Sequence, residues 1–137
     1  MSTRSMIARE TDGRIEAVYC HNAGWPEHHL PILTEFYASD EAVAVLMDLG
    51  DLSVLGPEPG RRHDFATHYR TPEAKYWCVA YTRDRGDRDA PKRSYASEEE
   101  FLDGASESWA EYIYLFRAGR WLYRDARKGD AWLETNV

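Results

Sequence analysis

The chain has 137 residues, a formal net charge of −7 at pH 7 and a mean hydropathy of −0.66. A content of 43% hydrophobic and 13% aromatic residues predicts one domain, residues 1–137, with a real core, and excludes disordered and collagen-like chains. The longest apolar run, Ala42 to Met47, is far shorter than the ~20 residues of a membrane span. Because no signal segment opens the chain, we expect a cytoplasmic protein of a bacterial host cell.

The charge is arranged in bands along the chain. Residues 15–60 carry eight acids and no Lys or Arg, and residues 94–116 carry six acids and no base. The stretch between them, residues 61–93, is basic. A nucleic-acid-binding protein needs a basic footprint, so this balance disfavours direct binding of nucleic acid or of an anionic membrane surface.

The first half of the chain predicts a hairpin followed by two helices. Strands are expected over Thr3 to Ile7 and Arg14 to His21, with a turn at Asp12-Gly13. Apolar residues at three- and four-residue spacing predict a helix from Pro26 to Tyr37. A second helix is capped at Ser39 and ends at Gly50 in a left-handed conformation.

The second half predicts more of the sheet. The segment from Lys75 to Thr82 has the composition of a central strand, and residues 56–74 and 83–94 are expected to be loops. Ser97 and Glu100 form a capping box for a helix over Glu98 to Gly104. Alternating aromatic residues from Ala110 to Asp125 predict a hairpin, and Trp132 in the tail from Gly129 onward could add a short element. The fold class is therefore α+β, a mainly antiparallel sheet of about five strands with two or three helices packed on one face.

No motif in the chain identifies a catalytic or cofactor site. The histidines and cysteines lack metal-ligand spacing, so no metal site and no cofactor are expected. Cys20 and Cys78 are expected to be buried structural thiols rather than a disulfide or a nucleophile. No glycine-rich phosphate loop is present.

The acidic band suggests a protein-binding surface. Carboxylates displayed together can dock on a basic partner in place of nucleic acid, with charge guiding the encounter. The predicted surface consists of Glu27, Glu35, Asp40, Glu41, Asp48 and Asp51, with Trp25 as its anchor. Two simpler interpretations stay open, since the acids could serve only solubility and Trp25 could fill the core at the helix start.

An alternative function is the binding, or the enzymatic conversion, of a small anionic, nucleotide-like molecule. Its predicted pocket brings His21 and Trp25 together with Arg83, Asp84 and Arg85, since arginines recognise phosphate and carboxylate groups. The simpler interpretation of the run from Arg83 to Arg88 is a solvated, self-paired loop. A third interpretation is a structural protein that forms a homodimer through the exposed edge of its sheet.

Several short stretches, taken together, resemble a family of small phage and prophage proteins. They are Thr3-Arg4-Ser5, Tyr19-Cys20-His21, Gly24-Trp25-Pro26-Glu27, Leu49-Gly50-Asp51-Leu52-Ser53, His63-Asp64-Phe65, the segment Tyr81 to Asp87, Glu111-Tyr112-Ile113-Tyr114 and Gly119-Arg120-Trp121. The resemblance spans nearly the whole chain, although its relatives usually carry Asp where this chain has Ala23. It implies an accessory protein of a mobile element and brings no catalytic residues with it. Together with the acidic surface, it suggests an anti-CRISPR-like inhibitor that binds a bacterial defence protein.

Overall fold

The computed structural model describes residues 2–66, 72, 74–127 and 131–134. The strands are β1 (Ser5–Thr11), β2 (Arg14–Cys20), β3 (Leu52–Val54), β4 (Val79–Ala80), β5 (Arg93–Tyr95), β6 (Tyr112–Arg117), β7 (Arg120–Asp125) and β8 (Leu133–Glu134). The helices are α1 (Pro26–Phe36), α2 (Asp40–Asp48) and α3 (Glu98–Glu107). The α+β class is confirmed, and the two predicted hairpins are β1–β2 and β6–β7.

One mixed sheet organises the molecule. Its order is β4-β3-β2-β1-β6-β7-β8, and β5 pairs with β2 beside that path. Five of the pairs are antiparallel, whereas β1 and β6 are parallel, as are β2 and β3. The parallel pair places the amino ends of β1 and β6 side by side, with Ser5 opposite Tyr112.

Both faces of the sheet are covered. Ile7 and Val18 pack against α1 and α2 on one face, while Met6 and Ala17 pack against α3 on the other. The expected placement of all helices on one face therefore holds for α1 and α2 but not for α3. The physical reason is that β1 and β2 bury apolar side chains on both faces, so the sheet needs a cover on each side.

The predicted strand from Lys75 to Thr82 is mostly wrong. Ala74–Tyr76 is a single 3₁₀ turn, only Val79–Ala80 is strand, and Tyr81–Arg85 is a π-helical turn. Buried hydrogen bonds explain the change, because the backbone N–H of Cys78 is donated to Glu58 and that of Ala80 to the Asp84 carboxylate.

The predicted loops contain short elements as well as irregular chain. The expected 83–94 loop ends in β5, and the sequence also missed β3. In the expected 56–74 loop, residues 67–71 and 73 lie outside the described residues. None of the helices in the described ranges has the length and apolar character needed to cross a membrane.

The outer strands of the sheet are short. β4 and β8, which close the described strand order, have two residues each. Short edge strands are poor templates for pairing with another chain. Dimerisation through an edge stays a prediction that sedimentation would test.

Candidate functional site

Helices α1 and α2 carry most of the predicted acidic surface. Pro26 opens α1 with a fixed φ, and the Ser39 hydroxyl caps α2 by accepting the backbone N–H of Ala42 at 3.2 Å. Asp40 and Glu41 lie in the first turn of α2, where the helix dipole favours negative charge.

The outward sides of these two helices form what we call the acidic helical face. Its carboxylates, all exposed, are Glu27, Glu35, Asp40, Glu41 and Asp48. Three apolar side chains accompany them, with Trp25 41%, Phe36 45% and Val45 50% exposed. A surface that mixes exposed apolar groups with charge of one sign is typical of a protein-binding site.

The negative charge of this face is not offset within the helices. Residues 25–48 contain no Lys or Arg, and the only titratable bases are His28 and His29. Burial lowers the pKa of His29 to about 3, with a further contribution from His28, and burial also lowers the pKa of His28. Both imidazoles are therefore neutral at pH 7, and the carboxylates determine the charge of the acidic helical face.

Two of the predicted acidic residues have partners elsewhere in the fold. Asp51 is buried, accepts the backbone N–H of Tyr19 at 2.9 Å and forms a two-pronged ion pair with Arg93. It does not belong to the acidic helical face. Asp48 is exposed but lies 3.0 Å from Lys92, which also contacts Glu16. Glu27, Glu35 and Glu41 form no ion pair with a described residue, so no salt bridge offsets their charges there.

Trp25 lies at the start of the acidic helical face. It is the N-cap residue of α1, and its ring packs edge-on against His28 with centroids 6.2 Å apart. Its partial exposure leaves the indole accessible to a partner rather than enclosed in the core.

The predicted anionic-ligand pocket is occupied by internal bonds at Arg83 and Asp84. The buried Asp84 carboxylate accepts the backbone N–H groups of Ala80 at 2.8 Å and His63 at 3.1 Å, and it pairs with Arg83 at 3.0 Å. Arg83 also donates to the carbonyls of Pro59 and Cys78. These contacts, which we call the Asp84 clamp, tie together three segments of irregular chain.

The other residues predicted for that pocket contact different groups. Arg85 pairs with Asp87 and lies over the Tyr81 ring at 4.5 Å. The His21 ring is bonded to the Tyr19 hydroxyl at 2.8 Å, on the α3 side of the sheet. No hydrogen bond or ring contact among the described residues joins His21 or Trp25 to the Asp84 clamp.

A buried chain of polar side chains under α1 was missed by sequence reasoning. Ser5 Oγ lies 3.0 Å from His29 Nε2, and His29 Nδ1 lies 2.9 Å from His28 Nδ1. A serine bonded to a histidine is also the pairing used by nucleophilic hydrolases. Here Ser5 and His29 are fully buried, and a Cβ at Gly24 would lie 2.9 Å from that of Ser5, so neither side chain is open to solvent in this structure.

The two cysteines are buried, as the sequence predicts. Cys20 and Cys78 are free thiols buried in the core under α1 and α2. Burial raises the pKa of Cys20 to about 12 and also raises that of Cys78, so neither is a thiolate at pH 7. Across the described ranges, no group of three or more His, Cys, Asp or Glu side chains could hold a metal ion.

Sequence reasoning also passed over Trp109, the most exposed large apolar side chain among those described, at 77%. No motif marks this residue, and its helix-terminal position was the one available signal.

Comparisons with protein-family models, curated proteins and solved structures give no match to the chain.

Proposed function

We propose that the protein is a binding protein whose acidic helical face docks on the basic, nucleic-acid-binding surface of another protein and excludes nucleic acid from it. The observation that carries the proposal is the combination of exposed carboxylates and exposed apolar side chains on α1 and α2, in a segment without Lys or Arg.

Each part of the face has a physical role in such binding. The carboxylates accelerate the encounter with a basic surface and disfavour acidic partners. Trp25, Phe36 and Val45 supply the apolar area that keeps a complex together once it has formed. A partner that normally holds phosphate groups offers arginines and lysines, whose bonds to carboxylates would replace those to phosphate.

The class of partner follows from the resemblance to phage and prophage proteins. Such accessory proteins act inside a bacterial cell, where nucleic-acid-handling defence complexes present the basic surface that the acidic helical face fits. The proposed function is therefore inhibition of a bacterial defence system, anti-CRISPR-like in kind, by occupation of a nucleic-acid site and without catalysis.

The alternative function, capture of a small anion near His21, Trp25 and Arg83, loses its support at that location. The guanidinium of Arg83 already satisfies Asp84 and two backbone carbonyls. Removing it from these bonds would leave a buried carboxylate without its partner.

Two variants of identical charge test the proposal. Glu27→Gln, Glu35→Gln and Glu41→Gln together remove three of the five carboxylate charges of the acidic helical face and change the net charge from −7 to −4. Glu99→Gln, Asp103→Asn and Glu107→Gln remove the same charge from the exposed side of α3, on the opposite face of the sheet. Tagged wild type and both variants capture proteins from a bacterial lysate at low and high salt, and single-stranded nucleic acid is then added as competitor.

We expect wild type and the α3 variant to retain one nucleic-acid-binding protein that high salt or added nucleic acid releases. The variant of the acidic helical face should lose it. Equal loss in both variants would show that net charge alone governs capture, and a partner unaffected by salt and by nucleic acid would refute competition for a basic site.

A further inference from the structure

Trp109 occupies a backbone position that favours glycine. It follows α3 with a φ of +62°, and the helix ends there with the N–H of Ala110 donated to the carbonyl of Ala105 and that of Trp109 donated to Ser106. A left-handed residue just after a helix is usually glycine, because any side chain with a Cβ is strained there.

Packing does not account for a tryptophan at this position. The indole ring is 77% exposed and makes no hydrogen bond or ring contact with a described residue. A strained backbone that also holds an apolar side chain in water is a reason to look for function.

Two clefts flank Trp109. The first, of about 450 Å³, has an apolar floor that includes Leu102 and Ile113 and a rim that includes Arg124 and Arg127. The second, of about 440 Å³, lies at the amino end of the sheet and is lined by Ser2, Thr3 and Arg4. Trp109 and Glu111 line both clefts. Each volume lies in the range of small-molecule sites.

The charged groups around Trp109 favour an anion. Glu111 accepts the backbone N–H of Arg4 at 3.3 Å and the Arg127 guanidinium at 3.2 Å, so its charge is already held by protein donors. Arg127 is exposed, and its bonds run to Asp125, Glu111 and the Tyr112 hydroxyl. Exposed pairs of this kind are weak and exchange readily with an incoming anion.

We propose that Trp109 and the two clefts beside it form a binding site for a mononucleotide, a planar ring joined to one anionic group. The ring stacks on the exposed indole above the apolar floor, and the phosphate is received by Arg127 or Arg4 on either side of Glu111. This site is separate from the acidic helical face, since Trp109 follows α3 on the other face of the sheet.

The sequence predicted a pocket for an anionic ligand near Arg83, and the proposed site would hold such a ligand beside Trp109 instead. The small volume and the overall charge of −7 favour a single nucleotide over a strand of nucleic acid, whose repeated phosphates would be repelled.

The test is an NMR titration of the full chain with AMP, GMP, CMP and UMP, followed at the indole N–H of Trp109 and, in every protein including the Trp109 variants, at the backbone amides of Glu111 and Arg127. Adenosine and ribose 5-phosphate supply the ring and the anion separately. The variants are Trp109→Gly and Arg127→Gln, and their matched controls are Tyr76→Ala and Arg120→Gln, an exposed aromatic residue and an exposed arginine elsewhere. Trp109→Asn, which tolerates a left-handed backbone, serves as a second variant should Trp109→Gly fail to fold.

We expect at least one nucleotide to shift the Trp109 signal saturably and more tightly than either of its parts. Trp109→Gly should weaken binding by about tenfold or more, and the two controls should bind as wild type does. No shift with any of the four nucleotides up to about 10 mM, undiminished binding by Trp109→Gly, or binding of a single-stranded oligonucleotide alone would overturn the proposal.

Discussion

His29 is a titratable side chain in the fully buried layer beneath α1. Its ring lies between Ser5, His28 and the ring of Tyr114, whose centroid is 5.1 Å away. Tyr114 in turn donates its hydroxyl hydrogen to the carbonyl of Gly24 at 2.6 Å, which fixes the loop before α1. Burial lowers the pKa of His29 to about 3, and none of the described carboxylates bonds to it, so the folded protein holds this imidazole uncharged at pH 7.

The neutrality of His29 predicts a loss of stability on mild acidification. The unfolded chain takes up a proton near pH 6.5, whereas the folded chain does so only at a pKa of about 3. Stability is therefore fully present above pH 6.5 and falls by about 1.4 kcal/mol per pH unit below it, roughly 2 kcal/mol by pH 5. Urea denaturation at pH 7 and pH 5 measures this change.

The control for this prediction is His29→Gln, which retains an amide for hydrogen bonding but does not titrate. The lowered pKa values of Glu16 and Glu98 add their own acid sensitivity, but both acids are present in wild type and variant. The difference between the two proteins isolates His29. An identical pH dependence in both would contradict a buried, neutral imidazole.

Trp109 makes a second prediction at the scale of one residue. Trp109→Gly should raise the free energy of unfolding by about 1 kcal/mol, because relief of left-handed strain exceeds the added chain entropy of glycine. Ala118, with a φ of +53° in the β6–β7 turn, offers the comparison, and Ala118→Gly should give a similar gain. A loss of stability in Trp109→Gly would mean that the indole packs in solution.

At the scale of elements, the Asp84 clamp fixes the backbone at the end of the predicted central strand, Lys75 to Thr82, and in the π-helical turn that follows. One carboxylate orders the π-helical turn, the loop at His63 and the end of β4. Asp84→Asn should cost about 3 kcal/mol of stability, since it breaks a buried ion pair. Hydrogen exchange should accelerate at the amides of Ala80 and His63.

Asp87→Asn is the matched control for the clamp. Asp87 pairs with Arg85, whose side chain is exposed, and its loss should leave the stability nearly unchanged, because solvent screens an exposed pair. Should Asp84→Asn prove equally mild, the clamp would not hold these segments together.

Local sequence patterns correctly predicted the elements whose signals span only a few residues. The capping box at Ser97 and Glu100 marks α3, with the Glu100 N–H donated to Ser97 Oγ at 3.2 Å, and Ala118-Gly119 forms the turn of the second hairpin. Strands β3 and β5 were missed because each has three residues and forms through pairing with distant segments. The prediction of a strand through Tyr76 to Tyr81 was wrong for the same reason, since distant contacts decide its backbone hydrogen bonds. The N–H of Ala80 is donated to Asp84 and that of Cys78 to Glu58.

The candidate sites show the same difference between residues placed by local patterns and residues placed by distant contacts. The acids of the α1 and α2 band could be placed on a surface because helix periodicity separates them from Val43 and Leu46. Asp51 was misplaced because its partner, Arg93, is 42 residues away. Apart from its position at the end of a predicted helix, no local signal distinguishes Trp109 from a packed aromatic residue, since its exposure depends on where α3 meets the sheet.

At the scale of the whole molecule, folding sorts the charge bands into separate surfaces. The basic stretch supplies Lys92 and Arg93, which neutralise acids at the C-terminal end of α2 and around β2. Arg117 does the same for Glu10 and Glu98 near α3. The carboxylates that form no ion pair with a described residue lie on α1 and at the start of α2, where Arg9 donates to the backbone carbonyl of Asp40 and not to a carboxylate. Pairing therefore concentrates the unpaired acids that the sequence spreads over residues 15–60.

This separation of charged and apolar groups predicts a division of kinetic roles in the proposed complex. Neutralising Glu27, Glu35 and Glu41 should slow association by about tenfold or more at low salt and leave dissociation nearly unchanged, because exposed charges act on the encounter. Phe36→Ala should instead speed dissociation by about tenfold, since a truncated apolar contact loosens the formed complex. Surface plasmon resonance with the captured partner, at two salt concentrations, measures both rates. Association rates that are equal in wild type and the neutralised variant at low salt would contradict electrostatic guidance by the acidic helical face, even if the complex itself exists.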